Sequence, residues 1–172
     1  MKATQCNMPA SCAFSRDLDK YYYWDSFEVR LSRPELSMQE IYLGIFAHLP
    51  RLLKWLLIIR TKIVSVFGIG GPTAAQLNSI EIKKKYEVGE RIARFTLFSQ
   101  NDNEIITGGD DKHLDFRVSV LKISEGGTNK VVLTTVVDVH NLFGKVYLFL
   151  ILPFHRFGVR TIMSNAVAAK RI

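Results

Sequence analysis

The chain has 172 residues, of which 48% are hydrophobic, and a net charge of +7. That length suits one domain with a single core, and that apolar fraction excludes a disordered chain. The positive balance would suit nucleic acid or an anionic membrane, but the 23 Lys and Arg are scattered. The densest run is Lys83-Lys84-Lys85 and no nucleic-acid motif accompanies it, so nucleic acid is not the expected partner.

Residues 1–20 lack any period and read as a flexible N-terminal tail, leaving 21–172 as a single domain. Both cysteines, Cys6 and Cys12, lie in that tail, with no His or Cys at zinc spacing. The expectation is two free thiols, no metal and a reducing, cytoplasmic setting. No apolar signal-peptide core precedes Ser15.

The segment Asp25 to Ser32 alternates Phe27, Val29 and Leu31 against Ser26, Glu28 and Arg30, as a half-buried strand does. Ser37 with Glu40 forms a capping box and opens a first helix to about His48. Pro50 suits the first turn of a second helix, which reaches about Phe67 and stops at the run Gly68 to Pro72. That glycine run follows a helix and lacks the Gly-Lys-Ser/Thr of a phosphate loop, so it reads as a helix stop and linker.

The remaining strands follow an undecided stretch, 73–88. Arg91 to Gln100 places Ala93, Phe95 and Leu97 on one face. Asn101-Asp102-Asn103 is a turn, and Glu104 to Thr107 is a strand that Gly108-Gly109 bends or ends. His113 to Ile123 and Lys130 to His140 flank a hairpin loop at residues 125–129. A terminal helix runs from about Asn141 to Ala169, with a kink expected near Pro153. Its longest wholly apolar run, Val146 to Phe154, has nine residues, short of the ~20 that span a bilayer. Lys145 and Arg156 flank it, which suits a core helix.

Strand, two helices, antiparallel meander and long terminal helix is the element order of the helix-grip fold. START-like lipid carriers, polyketide cyclases and the birch-pollen allergen share it. The chain also resembles a bacterial domain-of-unknown-function family, number 2867. The segments that carry the resemblance are residues 23–27 (YWDSF), Leu49-Pro50-Arg51 through Arg60, residues 86–91 (YEVGER), residues 111–117 (DKHLDFR), His140-Asn141 and Pro153-Phe154-His155. It covers most of residues 23–165. It implies an α+β, START-like fold, with a curved antiparallel sheet, two helices after the first strand and a long C-terminal helix over the sheet. It carries no established activity. Members also occur behind short-chain-dehydrogenase-like domains, but this sequence shows no strand leading into a GxGxxG helix. The chain departs from the pattern in showing five clear strands where such folds usually have seven.

Four constellations could carry chemistry. At about 100° per residue, Arg60 falls within the apolar face of the second helix, among Leu52, Leu53, Leu56, Ile59, Ile63, Val64 and Phe67. A guanidinium there needs Asp25, Asp115 or Asp138 as a partner, or else binds an anionic ligand group. On the opposite side, Trp55 and Ile58 lie among Arg51, Lys54 and Lys62, a pattern that suits a membrane surface, a protein partner or cover by the tail. His113, Asp115 and Arg117 share one strand face, and Asp138 and His140 share another. They form either a solvated ion-pair set or an acid–base cluster. On the terminal helix, Phe143, Tyr147, Ile151, Phe154 and Gly158 form an inner stripe with His155 at its edge, which would roof a cavity. No nucleophile elbow or cofactor motif is present.

The expected function is therefore binding of a small, mostly apolar molecule between sheet and terminal helix. Arg60, His113, Asp115, Arg117, His140, Tyr147, Ile151, Phe154 and His155 are its candidate contacts. The alternatives are an enzyme using His113 or His140 as general base on a carbonyl compound, and an accessory subunit docking through the Trp55 face.

Overall fold

The computed structural model of the protein describes residues 2–65, 83 and 85–172, and the side chains of Arg60 and of residues 62–65 lie outside the described set. The described chain is α+β. Its strands are β1 (Thr4–Gln5), β2 (Tyr23–Arg30), β3 (Arg91–Ile92), β4 (Phe95–Gln100), β5 (Glu104–Asp110), β6 (Leu114–Glu125) and β7 (Thr128–Val139). Its helices are α1 (Met38–Phe46), α2 (Arg51–Ser65) and α3 (Leu142–Ala168). All pairings are antiparallel, in the order β1-β2-β7-β6-β5-β4-β3. Strands β3 to β7 form a simple meander, and β2 closes onto its far edge beside β7.

Local chemistry explains the element ends. The Ser37–Glu40 capping box is present, with the Glu40 carboxylate 2.8 Å from the Ser37 amide. Gly126 and Gly127 have φ of 56° and 74°, which the two-residue turn joining β6 to β7 requires. Asn141 caps α3 by accepting from the Gly144 amide at 2.9 Å.

The alternation of β2, β6 and β7 divides the sheet into two faces. The inner face, which carries the helices, buries Phe27, Val29, Val118, Val120, Val131 and Leu133. Packed on it are Ile41, Tyr42 and Ile45 of α1 and Val159, Ile162, Met163 and Ala166 of α3. The outer face buries Leu121, Ile123, Val132 and Val136 beneath Cys12 and Phe14.

That outer packing replaces the loose tail read from composition. The N-terminal residues form β1 against β2, and Cys6, Met8, Cys12, Phe14 and Tyr21 cover the outer face. Among the described residues the sheet has seven strands, not five. Besides β1, the run 91–100 is two strands, because Ala93 has φ of 55° and turns the chain between β3 and β4. Gly108 and Gly109 do not end β5, which continues to Asp110. A side-chain carbon at Gly108 would lie 2.2 Å from the Phe116 carbonyl, so glycine lets the strands close up there. The expected end of α2 near Phe67, the glycine run 68–72 and most of the stretch 73–88 lie outside the described residues.

The cysteines are free, and burial dominates their chemistry. Burial, and then the negative charge of Glu28, push the Cys6 thiol up to about 11 from 9.0, and burial raises Cys12 as well. The thiolate is the nucleophile, so both thiols should label slowly at neutral pH until denaturant is added. Because the folded value is raised, the stabilising contribution of Cys6 is complete below about 9.0 and fades as pH climbs towards about 11. Phe14→Ala should lower urea-unfolding stability by about 3 kcal/mol. Fast thiol labelling in native buffer together with a neutral Phe14→Ala would mean that the N-terminal cover does not pack on the sheet.

Candidate functional site

A carboxylate on the apolar face of β2 organises the site. Asp25 has the same parity as Phe27 and Val29, so the strand's two-residue period turns it to the inner face beneath α3. It is 2% exposed. The Tyr23 hydroxyl donates to its Oδ2 at 2.5 Å, and Nε2 of His155 lies 3.3 Å from its Oδ1. Nε of Arg156 is 4.0 Å from Oδ2 and donates to the Tyr23 hydroxyl at 3.2 Å. A buried carboxylate costs several kcal/mol unless hydrogen-bonded and paired, and this one has a hydroxyl, an imidazole and a guanidinium around it. Burial first, then the hydrogen bond to Asp25, hold the Tyr23 phenol well above its usual range, so it stays a donor. The Tyr23 contact also raises Arg156, which stays cationic.

Directly across the β2–β7 ladder from Asp25 stands Thr135. It is 4% exposed, and its hydroxyl has no hydrogen-bond partner among the described residues. Other inner-face positions are only half-buried. Leu114 and Phe116 of β6 and Phe95 of β4 are such residues, with the two phenyl rings edge to face at 5.3 Å. Tyr147 and Ile151 of α3 are half-buried too. The inner face and α3 thus carry half-buried apolar side chains as well as the polar corner at Asp25. Chemically, an imidazole with one nitrogen held by a buried carboxylate has the other free to bind or move a proton.

The expected site residues separate. Tyr147, Ile151 and His155 lie on α3 as described, but Phe154 is 54% exposed and points away from the sheet. The side of α3 that packs on the body of the protein carries Gly144, Leu148 and Val159 instead. Gly144 is fixed by contact, since a side-chain carbon there would lie 2.2 Å from the His113 carbonyl. Asp115, Arg117 and Asp138 share the outer-face parity of Ser119, Leu121 and Val136, so they do not face the helices. There Arg117 pairs with Asp110 at 2.5 Å and stacks over Phe98, and His140 lies 3.3 Å from Asp115. His113 sits at the start of α3, 3.3 Å from the Asn141 side-chain oxygen, with its ring against Phe143. These are solvated ion pairs and a helix cap, and no group of three metal-ligating side chains occurs among the described residues. The side chains of Arg60 and Lys62 lie outside the described set. Trp55 is 59% exposed and Ile58 half-buried.

The family profile described as "Protein of unknown function (DUF2867)" matches residues 18–162. The chain belongs to that family. No curated protein and no solved structure matches it. The matched span of this DUF2867 chain contains Tyr23, Asp25, Thr135, His155 and Arg156. From the sequence, Asp25 is one of three partners offered for Arg60, although its parity with Phe27 and Val29 is the signal that marks it.

Because His155 and Arg156 reach solvent and Asp25 does not, losing a partner strands the carboxylate, while losing the carboxylate lets its partners hydrate. Tyr23→Phe should therefore cost about 2 kcal/mol in wild type and much less in an Asp25→Asn background. Equal costs in a urea-unfolding double-mutant cycle would show that the phenol and the carboxylate do not interact.

Proposed function

We propose that this domain has the helix-grip, START-like arrangement and binds a small, mostly apolar molecule between the inner face of its sheet and α3. The ligand's polar end lies at Asp25, Thr135 and His155. The observation that carries this reading is the Thr135 hydroxyl, buried opposite a buried carboxylate and without a hydrogen-bond partner among the described residues. A purely structural ion pair needs no such hydroxyl, and leaving one unpaired costs about 1–3 kcal/mol. A ligand hydroxyl or amine would satisfy it and could reach Asp25 or His155 as well. Half-buried Phe95, Leu114, Phe116, Tyr147 and Ile151 supply the apolar contact such sites use. We further propose a bacterial, cytoplasmic setting, which the two free thiols suit.

The Asp25–His155 pair favours one second reading. Asp25 would orient the imidazole and His155 would act as general base on a carbonyl compound, taking a proton from the carbon beside the carbonyl. This moves the catalytic role from His113 and His140, which lie outside the site, to His155.

A long-chain fluorescent alcohol serves as the probe. It should bind wild type and raise its melting temperature. Thr135→Val should stabilise the empty protein by about 1 kcal/mol and weaken the probe several-fold. Phe154→Ala should change neither. If Thr135→Val destabilises the empty protein and leaves probe binding intact, the hydroxyl is structural and the reading falls. Native mass spectrometry of undenatured protein would give the mass of any carried molecule. Turnover of a carbonyl compound that His155→Gln abolishes would select the enzyme.

A further inference from the structure

The first half of α3 carries a second apolar face. Leu142, Val146, Phe149, Leu150, Phe154 and Phe157 are 48% to 75% exposed and recur at the spacing of one helical side. Leu148 and Val159, on the opposite side, are buried. A helix apolar on both sides is ordinarily enclosed. Here the helix is long and apolar enough to cross a membrane, yet only 17% of its most apolar stretch is buried. The wholly apolar run of nine residues understated this, because the apolar character continues past His155 and Arg156. The other side of the helix belongs to the core through Val159, Ile162 and Met163, so the exposed side lies along the protein surface.

The two helices that bear this face carry charge of one sign. Helix α3 contains Lys145, Arg156 and Arg160 and no Asp or Glu. Helix α2 contains Arg51, Lys54, Arg60 and Lys62 and no Asp or Glu. All 16 acidic residues lie elsewhere in the chain. The two helices meet at Gly158, where an added side-chain carbon would lie 3.8 Å from Leu53. Leu52 and Trp55, on either side of Leu53, are 54% and 59% exposed. At the start of α3, Lys145 sits 5.3 Å from the ring centre of Tyr22, itself 57% exposed.

We propose that this surface, the outer side of α3 from Leu142 to Phe157 together with Leu52 and Trp55, docks on an anionic lipid membrane. Phenyl and indole groups enter the headgroup boundary, about 5–10 Å deep, while Lys145, Arg51 and Lys54 meet lipid phosphates. The charge favours lipid over a second copy of the chain, because self-association would press two basic surfaces together. The docking surface faces away from Asp25 and does not depend on the ligand-binding reading.

The test is flotation of the full chain with phosphatidylcholine–phosphatidylserine vesicles, against phosphatidylcholine alone. Wild type should float only with the anionic vesicles and detach as salt rises. The double variant Phe149→Glu with Leu150→Glu should not float, with its melting temperature unchanged because both side chains are exposed. Leu142→Glu with Val146→Glu carries the same expectation should the first pair fail to fold. Reversal of Lys145 and Arg51 to Glu should weaken binding at least about tenfold. Three results would each overturn the proposal: no flotation of wild type, equal flotation with neutral vesicles, or wild-type flotation by the folded double variants. A dimer in light scattering that the double variants split would assign the face to a second copy instead.

Discussion

Strand β2 pairs with β7 across most of the chain, and the register of that pairing decides what the inner face contains. The hydroxyls of Ser26 and Thr134, 108 residues apart, meet at 2.9 Å on the outer side. Their neighbours Asp25 and Thr135 are thereby set opposite each other on the inner side. A slip of β2 by one residue would turn its side chains over, moving the carboxylate out and Ser26 in. The slip is opposed because Phe27 and Val29 would leave the core with it, while Val131 and Leu133 stay fixed by the pairing of β7 with β6. The entropy of closing so long a loop is offset by the β6–β7 hairpin, whose strands of twelve residues each give β2 a formed edge to join.

Helix α3 answers to two environments along one rod. Its start is held by contact, with Gly144 against the His113 carbonyl and Asn141 turned towards the Lys112 carbonyl at 3.2 Å. Its second half is core. Between them, consecutive residues His155 and Arg156 reach towards either oxygen of Asp25, so the polar corner also pins the middle of the helix to β2. The outward apolar side takes no part in this anchoring, which is why folding alone gives no reason for its composition.

Signals confined to a few residues were legible in the sequence. The Ser37–Glu40 cap, the glycine turn after Glu125 and the alternation of β6 and β7 all lie where local chemistry puts them. So did the order of strands and helices. What escaped depended on partners distant in the chain. Periodicity finds the faces of a helix but cannot choose between two apolar ones, so Phe154 was assigned inward. Alternation through Ala93 concealed a turn, because its positive φ is imposed by the pairing of β3 with β4. Histidines drew notice by type, yet His113 and His140 lie at strand ends near solvent. The buried carboxylate stands in an ordinary strand, and its burial comes from packing against α3 and Tyr23 rather than from a local signal.

The N-terminal cover has a consequence for how the protein comes apart. Glu104, 6% exposed on the outer face, accepts from the Ser119 hydroxyl at 2.5 Å and from the Ala13 amide at 3.2 Å. One of those donors belongs to the sheet and the other to the segment laid over it. Lifting the segment would remove a hydrogen bond from a buried carboxyl group and uncover Leu121, Ile123, Val132 and Val136 together. Partial opening is therefore costly, and the cover and sheet form one cooperative unit. In hydrogen exchange the Ala13 amide would behave as a strand amide does, although no strand contains it.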